Sequence, residues 1–255
     1  MLAALVIAGL PWFHAPGPPP PLTRVATPVR AVALTFDSGP DARATPAIVD
    51  LLQRSGTRAT FFVLGEGIEE NPALILELKA AGEEVENRGF RRVDYGRMTP
   101  RQAVREIQDT SEEIEDLTGQ AVHFFRPPTA TLSQPLRTYL SVPRLQPVLW
   151  SVDARGAGAL AALARVRPGD IVRFEEDAGA PRATLAQLRF ILPRLRAQHI
   201  ACVTLRQLVK TAQPRADRTA ALISHGISHT RAPAASSAAR LDSSVPRPRS
   251  MMAPA

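Results

Sequence analysis

This chain of 255 residues contains very little cysteine and very little lysine. Its single cysteine, Cys202, excludes a disulfide bond within the chain, and the apolar run around it predicts a small core residue on a strand. Lysine occurs only at Lys79 and Lys210, so arginine carries nearly all of the positive charge behind the formal net charge of +7. The length suffices for one large α/β domain or for a smaller domain with tails.

Basic residues are missing ahead of the N-terminal apolar run. Residues 1–13 are apolar throughout, which is the length of a signal-peptide hydrophobic region and too short to cross about 30 Å of hydrocarbon. No clear small-residue cleavage site and no lipobox cysteine follow this run. We expect residues 1–28 to form a signal-like apolar leader with a proline-rich linker, which engages the export machinery or the membrane.

Aromatic residues are missing from residues 212–255, which are rich in Ala, Ser, Pro and Arg. Six arginines against two aspartates give this range +4 of the net charge of +7. Without aromatic side chains that could stack on bases, this composition predicts a disordered, solvated basic tail and no specific nucleic-acid binding. The alternative is that the basic tail binds a nucleic acid or an anionic surface through its charge. His225 and His229 have the spacing of a weak metal clamp on a helix, but Gly226 argues against a helix there.

Strand-like and helix-like segments alternate between residues 29 and 211. The strand-like segments are short and apolar, and they cover residues 31–36, 60–64, 83–86, 123–125, 147–149, 170–174 and 200–203. The helix-like segments cover residues 45–53, 72–81 and 183–196, and a long one runs from Thr99, Pro100 and Gln102, which form an N-terminal capping signature, to Gly119. This alternation predicts parallel strands with crossover helices, in a barrel or in an open sheet.

Four segments in this range stand out by their composition and order, and they read AVALTFDSGP (31–40), NRGFRR (87–92), FRPP (125–128) and WSVD (150–153). With a fifth segment around Glu175, they resemble the polysaccharide deacetylase (NodB-homology) family, also called carbohydrate esterase family 4. The resemblance covers about residues 29–211 and implies an α/β fold, a distorted (β/α) barrel of the glycoside hydrolase/deacetylase type. It also implies a role in carbohydrate metabolism, a polysaccharide or peptidoglycan-like glycan as partner, and a secreted or membrane-anchored place at the cell envelope.

In the resembled family, an Asp-His-His triad binds zinc or a similar divalent metal. The corresponding positions here hold Ser38, Arg88 and Arg92. A hydroxyl group alone is a poor ligand for a divalent cation, and a guanidinium group is not deprotonated in proteins. We therefore expect no metal cofactor. We hypothesise instead that Arg88 or Arg92 pairs with Asp37 or Glu175 in a salt-bridge network that fills the former metal pocket.

The resemblance also implies roles for the retained residues. Asp37 stands at the position of the general base, Arg126 at that of the arginine that pairs with this base, and Glu175 in place of the histidine that is the general acid. A buried ion pair between Asp37 and Arg126 would also be expensive to break, so its retention is equally compatible with a purely structural role.

The substrate groove is the second region to which the resemblance assigns residues. Pro127, Pro128 and Asp153 fall at positions that we expect to contact substrate. Gly156 and Ala157 stand where the family has an aspartate that tunes the catalytic acid and a tryptophan that lines the groove. Part of the groove wall is therefore altered.

These substitutions predict a catalytically inactive member of the family, a pseudoenzyme that binds a glycan or a protein partner. A bound divalent metal lowers the pKa of its water from ~15.7 to about 7, on the order of 12 kcal/mol, whereas a general base contributes about 3–5 kcal/mol. The alternative is an active hydrolase of carbon–nitrogen bonds other than peptide bonds, a deacetylase with a rebuilt carboxylate site. The carboxylates available for it are Asp37, Asp41, Glu86, Asp94, Glu175 and Glu176.

Overall fold

The computed structural model describes residues 20–131, 133–140, 145–176 and 181–212. All of them belong to one unit of the chain, Met1–Pro214. The apolar residues 1–13 and the tail from residue 213, with His225 and His229, lie outside the described residues. Within the described ranges, no helix is both long enough and apolar enough to cross a membrane.

Within the described ranges, eight strands form a single sheet in which every neighbouring pair of strands is parallel. The strands are β1 (Ala31–Gly39), β2 (Thr60–Val63), β3 (Glu84–Asn87), β4 (Phe124–Phe125), β5 (Gln146–Pro147), β6 (Val152–Asp153), β7 (Ile171–Glu175) and β8 (Ala201–Val203). Their order is β5-β4-β3-β2-β1-β7-β6, and β8 pairs with the beginning of β1. The predicted α/β fold with parallel strands is therefore confirmed.

Eight described helices accompany the sheet. They are α1 (Ala44–Arg54), α2 (Gly65–Glu70), α3 (Pro72–Ala80), α4 (Pro100–Thr118), α5 (Gln134–Leu140), α6 (Ala159–Leu163), α7 (Pro181–Ala197) and α8 (Leu205–Ala212), and a 3₁₀ turn covers Tyr95–Arg97. The capping signature of α4 is present, because Thr99 Oγ1 accepts from the Gln102 N–H and Gly119 ends the helix in the left-handed conformation.

Strand β1 lies at the centre of the sheet and is buried along almost its whole length. Successive side chains of a strand point to opposite faces. On one face, Val32, Leu34 and Phe36 pack in the larger core cluster, which includes α1, while Ala33 packs in a second cluster on the other face. Asp37 lies four residues after Ala33 in the same strand. Because side chains alternate between the two faces, the Asp37 side chain lies on the same face as Ala33, at the carboxyl end of the strand.

The segment before β1 contributes to the fold, although the sequence assigns it to a linker. Leu22 forms a parallel bridge with Val148, and Arg24 forms an antiparallel bridge with Asp170. Val25 is buried in the second core cluster. This segment therefore packs against the sheet and forms bridges to the residue after β5 and to the residue before β7. Cys202 lies on β8 and is partly buried against the core, in agreement with its predicted place.

Candidate functional site

Asp37 is the centre of the site and is completely buried. Three arginines from three other segments surround its carboxylate. Arg126 Nη1 lies 2.7 Å from Oδ1, and Arg88 Nη1 and Arg173 Nε lie 2.9 Å and 2.7 Å from Oδ2. The ion pair that we expected between Asp37 and Arg126 is present, and the contact with Arg88 agrees with the hypothesised network.

The charges of this cluster shift one another's pKa. Burial acts to raise the pKa of Asp37, but Arg126, Arg88 and Arg173 together outweigh it and hold the pKa below its ordinary value of 3.8. Burial lowers the pKa of Arg88 and of Arg173 to about 10, against the attraction of Asp37. Because a guanidinium group is not deprotonated in proteins, three positive charges face the one negative charge of Asp37.

Arg88 fills the space between the ends of β1 and β4. Its side chain is 1% exposed, and its Nε and Nη2 donate to Ser38 Oγ (3.1 Å) and to the Pro128 carbonyl (3.2 Å). Arg88 comes directly after Asn87, the last residue of β3. Asn87 pairs with Phe125 of β4, so Arg88 lies beside the end of that strand. The sequence places this arginine at a ligand position, and the structure directs it at the buried carboxylate of Asp37.

Ser38 joins Arg88, Arg92 and Glu175. Its hydroxyl donates to Glu175 Oε1 (2.8 Å) and accepts from Arg88 Nε (3.1 Å) and Arg92 Nη2 (3.0 Å), which uses its one donor and both of its lone pairs. Arg92 also forms an ion pair with Glu175. The three residues predicted at the positions of the metal triad are thus brought together, and hydrogen bonds and ion pairs hold them to each other, to Asp37 and to Glu175.

The predicted groove residues differ in their surroundings. Pro127 is buried, and its carbonyl accepts from the Ala130 N–H in a turn. Pro128 is half-buried and accepts from Arg88. Asp153 is half-buried and pairs with Arg155 (2.9 Å). Pro128 and Asp153 are thus more accessible than Pro127, and contact with substrate stays a prediction for all three.

Sequence reasoning missed Arg173 and Trp150 as parts of this site. Arg173 Nη2 lies 3.1 Å from Glu175 Oε2, and its guanidinium carbon lies 4.1 Å from the centre of the Trp150 ring. Alternation along β7 could have revealed this arginine, because residues 173 and 175 point to the same face of the strand. In the register of the sheet, they stand beside Thr35 and Asp37 of β1.

A divalent metal does not fit the residues at these positions. Two of the three ligand positions carry guanidinium groups, which have no lone pair to offer a cation. Arg88 is directed at Asp37, and Ser38 Oγ already has three partners. Among the residues that the structure describes, no group of three or more His, Cys, Asp or Glu side chains is arranged to hold a metal ion.

Two carboxylates proposed for a rebuilt site have structural partners elsewhere. Glu86 Oε2 accepts from the His123 and Phe124 N–H groups (2.9 and 2.8 Å), and Asp94 accepts from the Gly96 N–H (2.9 Å). The other four of these six carboxylates, Asp37, Asp41, Glu175 and Glu176, lie at or just beyond the carboxyl ends of β1 and β7, where the Glu176 N–H donates to the Asp37 carbonyl (2.8 Å).

Known proteins share this arrangement of strands and segments. The family model described as polysaccharide deacetylase matches residues 24–145. A chitooligosaccharide deacetylase of Bradyrhizobium sp. (strain ANU 289) is 31% identical over 198 residues, which cover 70% of this chain and 90% of that relative. The chain belongs to the polysaccharide deacetylase family. Members of this family process cell-wall and other polysaccharides and are generally metal-dependent.

One further relative is much longer than this chain. The peptidoglycan-N-acetylglucosamine deacetylase PgdA of Listeria monocytogenes serotype 1/2a (strain 10403S) is 30% identical over 186 residues, which cover 70% of this chain and 39% of that relative. The chain thus spans about two fifths of the length of PgdA.

Solved structures of the family confirm the predicted barrel. A peptidoglycan N-acetylglucosamine deacetylase superposes with a TM-score of 0.70 at 27% identity, over 76% of this chain and 94% of that one. A pseudoenzyme of carbohydrate esterase family 4 from Bacillus anthracis superposes with a TM-score of 0.67 at 23% identity, over 75% of this chain and 69% of that one. The second likeness is one of fold alone.

Proposed function

We propose that this protein is a catalytically inactive polysaccharide deacetylase, a pseudoenzyme that binds a cell-envelope glycan or a protein partner at the mouth of the barrel. The observation that carries this proposal is the place of Arg88. Its guanidinium donates to Ser38 and pairs with Asp37, and the sequence resemblance matches Ser38 and Arg88 to metal-ligand positions of the family. The glycan, the envelope location and the leader in residues 1–28 belong to the same proposal.

The loss of the metal removes the largest contribution to catalysis. A bound divalent ion activates water by on the order of 12 kcal/mol, because it lowers the pKa of that water from ~15.7 to about 7. Guanidinium groups attract anions and stabilise negative charge, but they do not bind a water molecule as a Lewis acid does. No residue named at the site replaces this contribution.

The remaining base position is also unsuited to proton transfer. A general base must come within hydrogen-bond reach of the proton that it removes. Asp37 is completely buried, both of its oxygens lie within 3 Å of arginine nitrogens, and its pKa is held low. A carboxylate held in this way is a weak base, which supports a structural role for Asp37.

The alternative of a rebuilt hydrolase has less support. Glu175, at the position of the general acid, forms ion pairs with Arg92 and Arg173 and accepts from Ser38. Neighbouring guanidinium groups favour the ionised form of a carboxyl group, which cannot donate a proton. The surroundings of Glu175 therefore favour a salt bridge over acid catalysis.

Metal content and deacetylase turnover of the full chain test the proposal. The protein is incubated with Zn²⁺ or Co²⁺, dialysed and analysed for bound metal, and acetate release is followed with acetylated chitooligosaccharide and with peptidoglycan. We expect no stoichiometric metal and no acetate release above the background without protein. Acetate release that is lost in Glu175→Gln but kept in Asp94→Asn would overturn the proposal in favour of the rebuilt site.

A further inference from the structure

A pocket of about 260 Å³ opens beside the arginine cluster, and Ser38 and Arg92 of the described network form part of its wall. It lies between the end of β1, the helix α2 and Arg92, and its ionisable lining residues are Asp41, Glu66, Glu70, Arg92 and Glu176. Four carboxyl groups thus face one guanidinium group, and that guanidinium is paired with Glu175. The volume is just below the roughly 300–1,000 Å³ of pockets for drug-sized ligands, which suits one sugar ring.

The carboxyl groups come from separate elements and include a helical pair of like charge. Glu66 and Glu70 are four residues apart on α2, so their side chains lie on the same face of the helix. Such a pair of like charges destabilises a helix by a few tenths of a kcal/mol unless a cation lies between the two groups. Arg91 does not serve as that cation within ion-pair distance, because it is directed at Glu106 on α4 (2.6 Å).

Glu176 provides the second, independent observation. It is 1% exposed, and among the residues that line the pocket it is the one with a buried carboxylate oxygen, Oε2, that has no hydrogen-bond partner. Its other oxygen accepts from Thr45 Oγ1, and the Asp41 N–H is directed at the same threonine (2.8 Å). Because burial raises the pKa of Glu176 to about 8, this carboxyl group is protonated at neutral pH. A buried polar oxygen without a partner is costly, and a hydrogen bond with a ligand would remove that cost.

A metal ion is not the cation that these groups fit. Calcium and magnesium need several oxygen ligands within about 2.0–2.6 Å of one point. The carboxyl groups of the pocket are not gathered in that way, since the described residues contain no metal-holding group of three. An organic ammonium group has three N–H donors, each of which reaches a separate acceptor at roughly 2.7–2.9 Å, and a sugar adds hydroxyl donors farther out.

We infer that this pocket binds the ammonium group of a de-N-acetylated amino sugar within a glycan. The inference rests on the proposed function, because the pocket adjoins the mouth at which the glycan is proposed to bind. An N-acetylated sugar presents a neutral amide at the same atom and cannot compensate several carboxylates. The protein would thus recognise the product of deacetylation, made by another enzyme that hydrolyses the N-acetyl amide to an amine and acetate.

Binding of two matched oligosaccharides to the full chain tests the inference. The ligands are the tetramer of β-1,4-linked glucosamine and its fully N-acetylated counterpart, titrated by calorimetry at a pH where the sugar amine is protonated. Charge-assisted hydrogen bonds predict that the glucosamine tetramer binds roughly tenfold tighter or more. Tetralysine, which has the same number of side-chain charges and no sugar, controls for nonspecific attraction.

Variants of α2 locate the site on the protein. We expect Glu66→Gln/Glu70→Gln to weaken binding of the glucosamine tetramer by roughly tenfold. Glu69→Gln removes one negative charge, half the change in the double variant, at an exposed residue of the same helix that does not line the pocket, and it should leave binding unchanged. Glu176→Gln is the second test of the pocket, with its folding checked by circular dichroism.

The outcomes separate this inference from the proposed function. Preference for the acetylated tetramer, equal losses in Glu69→Gln and the α2 pair, binding of neither tetramer, or equal binding of tetralysine would each overturn the ammonium site. Binding of the acetylated tetramer without acetate release would leave the proposed glycan-binding pseudoenzyme standing. Release of acetate from that tetramer would overturn the proposed function instead.

Discussion

Replacing Asp37 by asparagine should destabilise this protein far more than replacing any one of the arginines around it. Asp37 is the single carboxylate among Arg88, Arg126 and Arg173, so the cluster of four has a net charge of +2 and the variant would have +3. Among the described residues, Arg88 and Arg126 have no other carboxylate within ion-pair distance. Arg173 keeps Glu175 as a second partner.

The expected loss of unfolding free energy in Asp37→Asn follows from the three ion pairs that it breaks. Breaking one buried ion pair by removal of one partner costs about 3–5 kcal/mol. Coulomb attraction at ~4 Å with an effective dielectric of ~20 is about 4 kcal/mol per pair, which gives an upper bound of about 12 kcal/mol for three pairs. Domains of this kind are stable by about 5–15 kcal/mol, so Asp37→Asn should lose most or all of its stability.

Urea unfolding followed by circular dichroism measures this loss. We expect Arg88→Gln to cost about 2 kcal/mol or less, because it also lowers the excess positive charge of the cluster from +2 to +1. If Asp37→Asn does not fold, Asp37→Asn/Arg88→Gln provides the measurement, and it should recover part of the loss. A free energy of unfolding of Asp37→Asn within about 1 kcal/mol of wild type would refute the reasoning.

Three further predictions concern the metal positions, a buried acid and a helix cap. Ser38→Asp/Arg88→His/Arg92→His should bind one Zn²⁺ per chain by calorimetry, whereas the wild-type chain should not; no gain of binding would contradict the assignment of these positions. Burial raises the pKa of Glu176 to about 8, so the folded state keeps a proton that the unfolded chain loses near its ordinary value of 4.5. The unfolding free energy should therefore fall between about pH 5 and pH 8, by up to about 4–5 kcal/mol from this group, and Glu176→Gln should flatten that fall in urea titrations. Thr99→Ala removes the acceptor for the Gln102 N–H at the start of α4 and should cost about 1 kcal/mol in thermal unfolding.

Long periodic elements and capped helices could be predicted from the sequence, whereas short elements could not. The helix from Thr99 to Gly119 has its cap, its apolar stripe and its glycine stop in the local sequence, and the structure agrees with it. The helix α2, with the sequence GEGIEE, was missed because two glycines and six residues give almost no helical signal. Its backbone is fixed from outside, since the Gly65 and Glu66 N–H groups donate to the Gly89 and Phe90 carbonyls.

The network at the site could be predicted in part. The resemblance predicts that Arg88 and Arg92 stand at metal-ligand positions, and charge complementarity predicts that they pair with Asp37 or Glu175, as the structure shows. The pairing of each arginine with its carboxylate depends on the register of β1 against β7 and on the direction of the loop after β3. The local sequence does not determine either of these. The pocket beside α2 could not be predicted from the sequence, because its carboxyl groups come from segments that are far apart in the chain.

The three residues at the expected metal positions should act together, because their combined charge replaces that of a ligand triad with its metal ion. A triad of one aspartate and two neutral histidines with a divalent ion has a net charge of +1, and Ser38, Arg88 and Arg92 together have +2. In this chain, positive charge faces the buried Asp37 and holds the pKa of its carboxyl group below the ordinary value. Reverting Arg88 alone to histidine would remove one positive charge without supplying an ion, whereas the three reversions together restore a ligand set. The stability effects of the single reversions should therefore not add up to that of the triple variant in saturating Zn²⁺; additivity within about 0.5 kcal/mol would show that the three positions are independent.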